Sequence, residues 1–246
     1  MTTPTPRAPE LLGQTVVVIG GSAGIGFETA RRARTEGARV ILTARDPARL
    51  RRAASELGAT SSAAFDASDP AALEGFFREL PSPVDHVLVT AGRPIYGPLL
   101  QMKPEEIRKS LGEHLLTAIE VARQAPGKVR PGGSLIFMSG TGGRRPGIGL
   151  ALVGAVTAAM PALVANLALE LAPIRVNLLA PGFVDTPLSA TILGDRLEAR
   201  RTQLRETLPI RRVVGPADVA ALAVHLMSNT ALTGATYDVD GGQQLV

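Results

Sequence analysis

The fold is decided by one stretch near the start of the chain, which has the sequence Thr15-Val-Val-Val-Ile19 and then Gly20-Gly-Ser-Ala-Gly24-Ile-Gly26. The β-branched run predicts a short strand that is buried on both faces of a sheet. The glycines allow a tight turn and let the backbone approach a pyrophosphate, and the N-terminus of the following helix adds free N–H groups. A strand, a glycine-rich turn and a helix in this order predict a dinucleotide-binding βα unit.

Outward from this unit, predicted strands and helices alternate along the chain. Asp46-Pro47 and Asp69-Pro70 each place an N-cap before a proline at the first helical position. The predicted strands cover residues 15–19, 39–43, 62–65, 84–89, 134–138, 174–179 and 236–239. The predicted helices cover residues 25–36, 47–57, a segment that begins at 70, 104–125, 150–171 and 217–227. This alternation predicts an α/β fold, a single Rossmann-like doubly wound domain with a parallel sheet of about seven strands flanked by helices.

Length and composition set the outer limits of the fold. The chain has 246 residues, of which 45% are apolar and 20% are charged, which suits one α/β domain with a sizeable core. We predict a flexible N-terminal arm over residues 1–10 and a single NAD(P)-binding Rossmann domain over residues 11–246. The absence of cysteine excludes disulfides, thiolate metal ligands and cysteine nucleophiles, and we predict no metal site. No stretch looks long and apolar enough to span a bilayer without interruption, so we expect a cytoplasmic protein with no membrane partner.

The charge distribution bears on possible partners. The net charge is +4, and arginine carries nearly all of the positive charge because the chain has only three lysines. Nucleic-acid-binding proteins usually show a basic stripe with interleaved aromatic residues. Here the basic residues are scattered and aromatic residues make up 3% of the chain, so we expect a solvated basic surface and no nucleic-acid partner.

The end of the second predicted strand indicates which dinucleotide binds. An Asp or Glu in that region would bind the 2′-hydroxyl of NAD, but Thr43-Ala44-Arg45 contains none and Asp46 is already assigned to a helix cap. Arg45 offers a guanidinium that suits a 2′-phosphate. We therefore predict that NADP(H) is the preferred cofactor and that NAD is possible, against the alternative that Arg45 is a surface arginine.

Several further motifs follow the glycine turn in a fixed order and spacing. They are Phe65-Asp66-Ala67, Thr90-Ala91-Gly92, Ile174-Arg-Val-Asn177, Pro181-Gly-Phe-Val-Asp-Thr186 and Asp240-Gly-Gly242. With the glycine turn, these motifs closely resemble those of the short-chain dehydrogenase/reductase family, and the likeness covers about residues 11–244.

The resemblance implies roles for these motifs in holding the cofactor. Asp66 matches the residue that meets the adenine, and the loop over residues 181–186 matches the one that meets the nicotinamide. The chain departs from the family pattern at Ile19, where a Thr is usual, and at Thr90, where an Asn is usual. The predicted cofactor-binding residues are Gly20, Ser22, Ala23, Gly24, Ile25, Gly26, Arg45, Asp66, Ala67, Thr90, Ala91, Gly92, Pro181, Gly182, Val184 and Thr186.

The family's catalytic positions hold unusual residues in this chain. In the family a Ser polarises the substrate carbonyl, and a Lys four residues after a Tyr lowers the phenol pKa from about 10 toward neutrality. An Asn on the preceding helix completes a water relay. Counting back without gaps from residues 169–173 places the Tyr position at Val153 and the Lys position at Thr157. The usual Ser spacing then reaches Gly140, and the Asn position reaches His114.

A shift of register does not restore the missing pair. The chain has two tyrosines, Tyr96 and Tyr237, and the residues four positions after them are Leu100 and Gly241. No Tyr-x-x-x-Lys pair therefore exists anywhere in the sequence, and we expect carbonyl reduction of the ordinary kind to be weak or absent.

Four polar residues near these positions are candidate substitutes. Ser139 could polarise a carbonyl if its loop shifts, although a strand-end residue is the simpler interpretation. His114 could titrate near neutrality, against the alternative of a hydrogen-bonded core histidine. Arg144 and Arg145 could hold an acidic ligand at the mouth of the cleft, against the alternative of a solvated loop.

Three hypotheses about function remain open from the sequence. The first is an NADP(H)-dependent oxidoreductase that acts on a small carbonyl or alcohol, and the second is a non-catalytic NADP(H)-binding sensor or partner subunit. The third is an enzyme of altered chemistry in the same cleft, such as an elimination or isomerisation that uses His114. The long, nearly apolar helix predicted over residues 150–171 also favours a homodimer or homotetramer, because subunit pairing would cover it.

Overall fold

The computed structural model describes residues 8–246, so residues 1–7 of the predicted N-terminal arm lie outside the described residues. Within this range, seven strands form one fully parallel sheet in the order β3-β2-β1-β4-β5-β6-β7. The strands are β1 (Thr15–Ile19), β2 (Arg39–Ala44), β3 (Ser61–Ala64), β4 (Val84–Val89), β5 (Val129–Met138), β6 (Arg175–Pro181) and β7 (Thr236–Val239). The predicted α/β fold is confirmed.

The helices follow the predicted alternation, with two differences. The predicted helix over residues 104–125 is divided by a five-residue π-helical segment, Gly112–Leu116, and two helices after β6 were not predicted. The α-helices are α1 (Gly24–Thr35), α2 (Pro47–Leu57), α3 (Pro70–Glu79), α4 (Pro104–Leu111), α5 (Thr117–Gln124), α6 (Ala151–Glu170), α7 (Pro187–Leu193), α8 (Leu197–Thr207) and α9 (Pro216–Ser228).

Local sequence signals explain where several helices begin and end. The Asp46 and Asp69 carboxylates accept hydrogen bonds from the first free N–H groups of α2 and α3, as their Asp-Pro pairs predicted. Gly58 ends α2 in the left-handed conformation that glycine adopts at low cost. By contrast Ala23, the residue before α1, offers no side-chain cap to the first N–H groups of that helix.

The core consists of two apolar clusters, one on each face of the sheet. Val17 and Ile19 pack into the cluster under α3, α5 and α6, while Val16 and Val18 pack into the cluster under α1, α2 and α9. Every residue of β1 is buried because successive side chains alternate between these two clusters. This placement explains why β1 is apolar without alternation.

Helix α6 corrects one expectation drawn from the sequence. By length and composition it could cross a membrane, since it has 20 residues and a mean hydropathy of 1.9. Five of its side chains, among them Val156 and Met160, are buried in the protein. A helix that joins two neighbouring parallel strands, as α6 joins β5 and β6, can be this apolar because one face packs on the sheet.

A neutral histidine is buried within the sheet. His86 on β4 is 1% exposed; its Nδ1 lies 2.8 Å from Ser134 Oγ and its Nε2 lies 2.6 Å from Gln14 Oε1. The side-chain amide oxygen of Gln14 can only accept a hydrogen bond, so His86 Nε2 carries the proton and donates it. Nδ1 then accepts a hydrogen bond from the Ser134 hydroxyl. Burial lowers the pKa of His86 to about 3, which keeps the ring neutral at physiological pH.

This histidine predicts a pH dependence of stability. The folded-state pKa of His86 lies below its usual 6.5, so the unfolded chain takes up the proton first as the pH falls. The contribution is therefore complete above pH 6.5 and is lost as the pH falls toward about 3, with a slope of about 1.4 kcal/mol per pH unit. Denaturant unfolding between pH 7 and about 5 measures this slope, above the range where carboxylates dominate. His86→Asn should flatten it, whereas His225→Asn, on the exposed side of α9, should leave it unchanged.

Candidate functional site

Two adjoining cavities open at the carboxyl edge of the sheet. The larger, hereafter the large cavity, has a volume of about 1100 Å³, and the smaller, the small cavity, about 310 Å³. They share Gly20 at the end of β1 and the segment 90–92 at the end of β4. The chain crosses from β1 outward to β2 and returns from β3 to β4, so the cavities meet where the strand order reverses. Doubly wound sheets bind their ligands at this place.

The glycine turn is packed too closely for side chains. A Cβ atom added to Gly26 would lie 2.3 Å from the Gly20 carbonyl oxygen and 2.5 Å from Thr90 Oγ1. Thr90 Oγ1 also donates a hydrogen bond of 3.1 Å to the Gly20 carbonyl. Gly20 and Gly24 have φ values of 99° and 56°, which favour glycine. The turn therefore points the uncapped N-terminus of α1 at the cleft, as an anion site requires.

All sixteen predicted cofactor-binding residues line one cavity or the other. The large cavity takes Gly20, Ala23, Gly24, Ile25, Gly26, Thr90, Ala91, Gly92, Pro181, Gly182, Val184 and Thr186. The small cavity takes Ser22, Arg45, Asp66 and Ala67 and shares Gly20, Thr90, Ala91 and Gly92 with the large one.

Asp66 is held as an anion in the small cavity. Its Oδ1 accepts hydrogen bonds from the Ser68 N–H at 3.0 Å and from the Ser68 hydroxyl at 2.8 Å. Burial raises the pKa of the Asp66 carboxyl, but these bonds and the charges of Arg45 and Lys109 outweigh burial, so the pKa is lowered overall. Asp66 thus offers a fixed acceptor beside Arg45 in the wall of the small cavity.

Glu113 also lines the small cavity, and the sequence did not indicate it. Its side chain is 3% exposed, and Oε2 accepts a 3.2 Å hydrogen bond from the Arg93 N–H. Oε1 lies 3.7 Å from both Arg45 Nη1 and Lys109 Nζ and has no hydrogen-bond partner among the described residues. The π-helical segment turns this residue inward, where its own carbonyl packs on Gly92. No motif signals such a segment, so composition and spacing could not have found it.

The four positions that match the family's catalytic residues face one space. His114, Gly140, Val153 and Thr157 all line the large cavity. A Cβ added to Gly140 would lie 3.9 Å from Thr157 Cγ2, so the two positions are neighbours. The Thr157 hydroxyl donates a hydrogen bond of 2.9 Å to the backbone carbonyl of Val153, whose own side chain is apolar. Of these four residues only His114 has an ionisable side chain.

His114 presents one ring nitrogen for chemistry. Nδ1 lies 3.3 Å from the Ser110 carbonyl oxygen, which can only accept, so Nδ1 carries the proton in the neutral ring. Nε2 has no hydrogen-bond partner among residues 8–246 and is left as an acceptor. Burial lowers the pKa of His114, while the Ser110 carbonyl and Glu113 act in the opposite direction.

The other candidate substitutes are placed less favourably. Ser139 lines the large cavity, but its hydroxyl makes only a long contact of 3.5 Å to the Thr157 carbonyl. Arg144 makes two bonds, of 2.6 and 2.7 Å, to Asp238, and Arg145 bonds the carbonyl oxygens of Gln244 and Val246. Both guanidinium groups thus bind the C-terminal segment, which is why the structure gives no support to their proposed role as an acid-binding pair.

Part of the large cavity's wall consists of residues that the sequence did not indicate. Tyr96 lines this cavity although no lysine stands four residues after it in the sequence. Arg93, Arg196 and Arg200 also line the cavity. Arg196 precedes α8 and Arg200 lies on it, so their placement depends on a helix that was not predicted. Tyr96 comes from the loop after β4, which no local pattern directs toward the cleft.

Comparison with known proteins agrees with this geometry. A family profile described as enoyl-(acyl carrier protein) reductase matches residues 20–244. The short-chain dehydrogenase/reductase malC of Malbranchea aurantiaca is 30% identical, over 98% of this chain and 99% of its own. This chain belongs to the short-chain dehydrogenase/reductase family. Family membership accounts for the glycine turn, the parallel sheet and the cleft at the switch point.

Three further similar proteins cover nearly the whole of this chain. The solved structure of the MalC reductase/Diels-Alderase superposes with a TM-score of 0.91 over 97% of this chain and 99% of that one. A small-chain dehydrogenase in complex with NADPH, 27% identical, has a TM-score of 0.82 over 95% of this chain and 100% of its own. A cyclic-di-GMP-binding biofilm dispersal mediator protein of Escherichia coli is 32% identical, over 93% of this chain and 96% of its own.

Proposed function

We propose that this short-chain dehydrogenase/reductase binds NADP(H) across the two cavities and has lost the ordinary Tyr/Lys-assisted reduction of carbonyl compounds. The observation that carries the proposal is the large cavity itself. It keeps the glycine turn and the loop after β6, yet glycine, valine and threonine occupy three of the four catalytic positions.

The residues present fit a dinucleotide. The uncapped N-terminus of α1 supplies N–H groups for a pyrophosphate, and Gly20 and Gly26 leave the backbone bare where the phosphates approach. Asp66 would accept a hydrogen bond from the adenosine half of the dinucleotide, and the loop over residues 181–186 would hold its nicotinamide half. When bound, the nicotinamide supplies hydride chemistry. The NADPH complex of a family neighbour adds support for this class of cofactor.

The preference for NADP(H) rests on Arg45. It follows β2, lines the small cavity and keeps more than half of its side chain exposed, so its guanidinium can meet a 2′-phosphate. Ser22 and Arg49 line the same cavity and add a hydroxyl and a second positive charge. The first acidic residue after β2 is Asp46, whose carboxylate already accepts hydrogen bonds from the first N–H groups of α2 and so does not stand free for the 2′-hydroxyl of NAD.

Arg45→Ala should therefore weaken NADPH more than NADH, because only NADPH carries the 2′-phosphate. The expected loss for NADPH is about tenfold or more, the effect of one charge-assisted contact. Fluorescence titration of both nucleotides measures the two dissociation constants, with Arg52→Ala on the exposed side of α2 as the control. An equal response of both nucleotides would reject the assignment of Arg45 to the phosphate.

The catalytic part of the proposal follows from what the cavity lacks. Val153 cannot donate a proton, and Thr157 cannot supply the charge that makes a phenol acidic. General acid catalysis is worth about 10²–10⁴-fold, so hydride transfer without it should leave a trace of turnover at best.

We expect negligible NADPH-dependent reduction of simple ketones and aldehydes, far below the enzyme median of about 10 s⁻¹. A spectrophotometric screen of NADPH oxidation against carbonyl compounds checks this. Turnover near the median would contradict the proposal and require another acid. His114→Ala should then abolish activity if His114 is that acid, while Tyr96→Phe tests the phenol that lines the same cavity.

The converse experiment restores the family residues. Val153→Tyr, Thr157→Lys and Gly140→Ser together should produce NADPH-dependent reduction if only the acid has been lost. The serine has room, because a Cβ at Gly140 would meet nothing closer than the Pro181 carbonyl oxygen at 3.6 Å. Failure of the folded triple variant to reduce any carbonyl would mean that the cleft itself has diverged.

Altered chemistry in the same cleft is the second candidate. It is favoured by His114, whose Nε2 is free to accept a proton in the large cavity. The solved structure of a relative described as a reductase/Diels-Alderase supports this candidate. A non-catalytic sensor would bind NADPH in the titration and fail both the screen and any reaction that depends on His114.

We also propose that the chain forms a homodimer or homotetramer. Five exposed alanines follow one another along α6 from Ala151 to Ala165, and beyond them Asn166, Leu169 and Glu170 are exposed near its end. An apolar helix face of this length is costly in water, and pairing between copies removes it from solvent.

Light scattering at micromolar concentration should therefore give a mass of two or four chains. Ala158→Arg, at the centre of the exposed face of α6, should shift that mass toward one chain, because it would bury an unpaired charge. A wild-type mass of one chain would refute the proposed association.

A further inference from the structure

The small cavity contains a charged cluster that the proposed function does not explain. Glu113 of the π-helical segment and Arg45, which follows β2, line this cavity, and Lys109 of α4 approaches the same carboxylate from the wall of the large cavity. The Glu113 side chain is 3% exposed, whereas those of Arg45 and Lys109 are 56% and 51% exposed. A buried carboxylate is therefore covered by two cations that remain largely in water.

The pairing within this cluster is incomplete. Each cation lies 3.7 Å from Glu113 Oε1, beyond hydrogen-bonding distance, and Oε1 has no other partner among residues 8–246. Oε2 is satisfied by the Arg93 N–H. A buried carboxylate with an unbonded oxygen is costly and depends on nearby positive charge. The two cations thus compensate Glu113 through charge rather than through fixed hydrogen bonds, and their exposed side chains can turn elsewhere.

The Arg45 guanidinium can consequently pair with either of two anions. One is Glu113, with which it shares the small cavity, and the other is the 2′-phosphate of the proposed cofactor. A 2′-phosphate bound by Arg45 would share that guanidinium with the Glu113 carboxylate, and the two like charges would repel each other.

We propose that Glu113 is an internal counterion that competes with the 2′-phosphate of NADP(H) for Arg45 and Lys109 and so limits the preference for NADP(H) over NAD(H). The proposal rests on the proposed function, that is, on nucleotide binding in this cleft. Glu113 acts here as a specificity-determining residue, from an element on the opposite side of the cavity from β2.

Removing the charge while keeping the shape isolates this effect. Glu113→Gln keeps an oxygen for the Arg93 N–H and releases both cations, so NADPH should bind about 3- to 10-fold more tightly. NADH lacks the phosphate, and its dissociation constant should change less than twofold. The fragment adenosine 2′,5′-bisphosphate should tighten like NADPH and ADP should not, since the effect lies at the adenosine end.

The measurement is titration calorimetry of the intact protein with these four nucleotides, which requires no turnover. Glu105→Gln, an exposed charge on α4 of the same sign, is the control and should change none of the constants. Thermal melting of each variant confirms that it is folded. Lys109→Gln, at an exposed position, provides a second test. It should weaken the binding of NADPH at least twofold and leave the binding of NADH unchanged, because Arg45 would then be the one cation near Glu113 in this cluster.

The outcomes separate this proposal from the proposed function. A wild-type protein that binds neither NADPH nor NADH would reject both. A wild-type protein that binds them, with the NADPH-to-NADH ratio unchanged in Glu113→Gln and in Lys109→Gln, would reject the counterion alone. Equal weakening of all four nucleotides in Glu113→Gln would also overturn it, since Glu113 would then be a direct hydrogen-bond acceptor for the shared adenosine.

Discussion

The structure depends above all on the close approach of the β1–α1 turn to the end of β4. Gly26 lies so near the Gly20 carbonyl and Thr90 Oγ1 that no Cβ could be accommodated, and the Thr90 hydroxyl bonds the Gly20 carbonyl. This contact fixes α1 against the sheet and points its uncapped N-terminus at the switch point. Both cavities meet there, so the position of the proposed nucleotide site follows from one packing constraint.

Small residues line the large cavity near that point, among them Gly140, Gly143 and Thr157. Gly143, in the loop after β5, lies against α6 so closely that a Cβ would fall 1.9 Å from Thr157 Oγ1 and 2.7 Å from Gly154 Cα. The loop thus rests directly on the helix that carries the Tyr and Lys positions of the family. The glycine turn after β1 and the catalytic positions after β5 come from different strands, so the residues of one can differ without changing those of the other.

Much of this arrangement could be predicted before any coordinates. The apolar run of β1 required two covered faces, and the structure buries it between two clusters. Both Asp-Pro pairs cap helices, since their signals act within three residues and need no tertiary partner. The missing Tyr-x-x-x-Lys pair followed from composition alone. Helices α7 and α8 were not predicted because their apolar periodicity is weak. Helix α7 is seven residues long and has no buried residue, and the strongly charged α8 has one, Leu204.

The sequence by itself determined the family, the order of strands and helices along the chain and the absence of any Tyr-x-x-x-Lys pair, because each is encoded in neighbouring residues or in residue counts. Tertiary structure alone decided which distant charges share a space. It placed Glu113 beside Arg45 although 68 positions separate them, and it tied Arg144 to Asp238. It also left His114 Nε2 free in the cleft. Electrostatic pairing depends on distance and burial, which arise only when the sheet brings strand ends together.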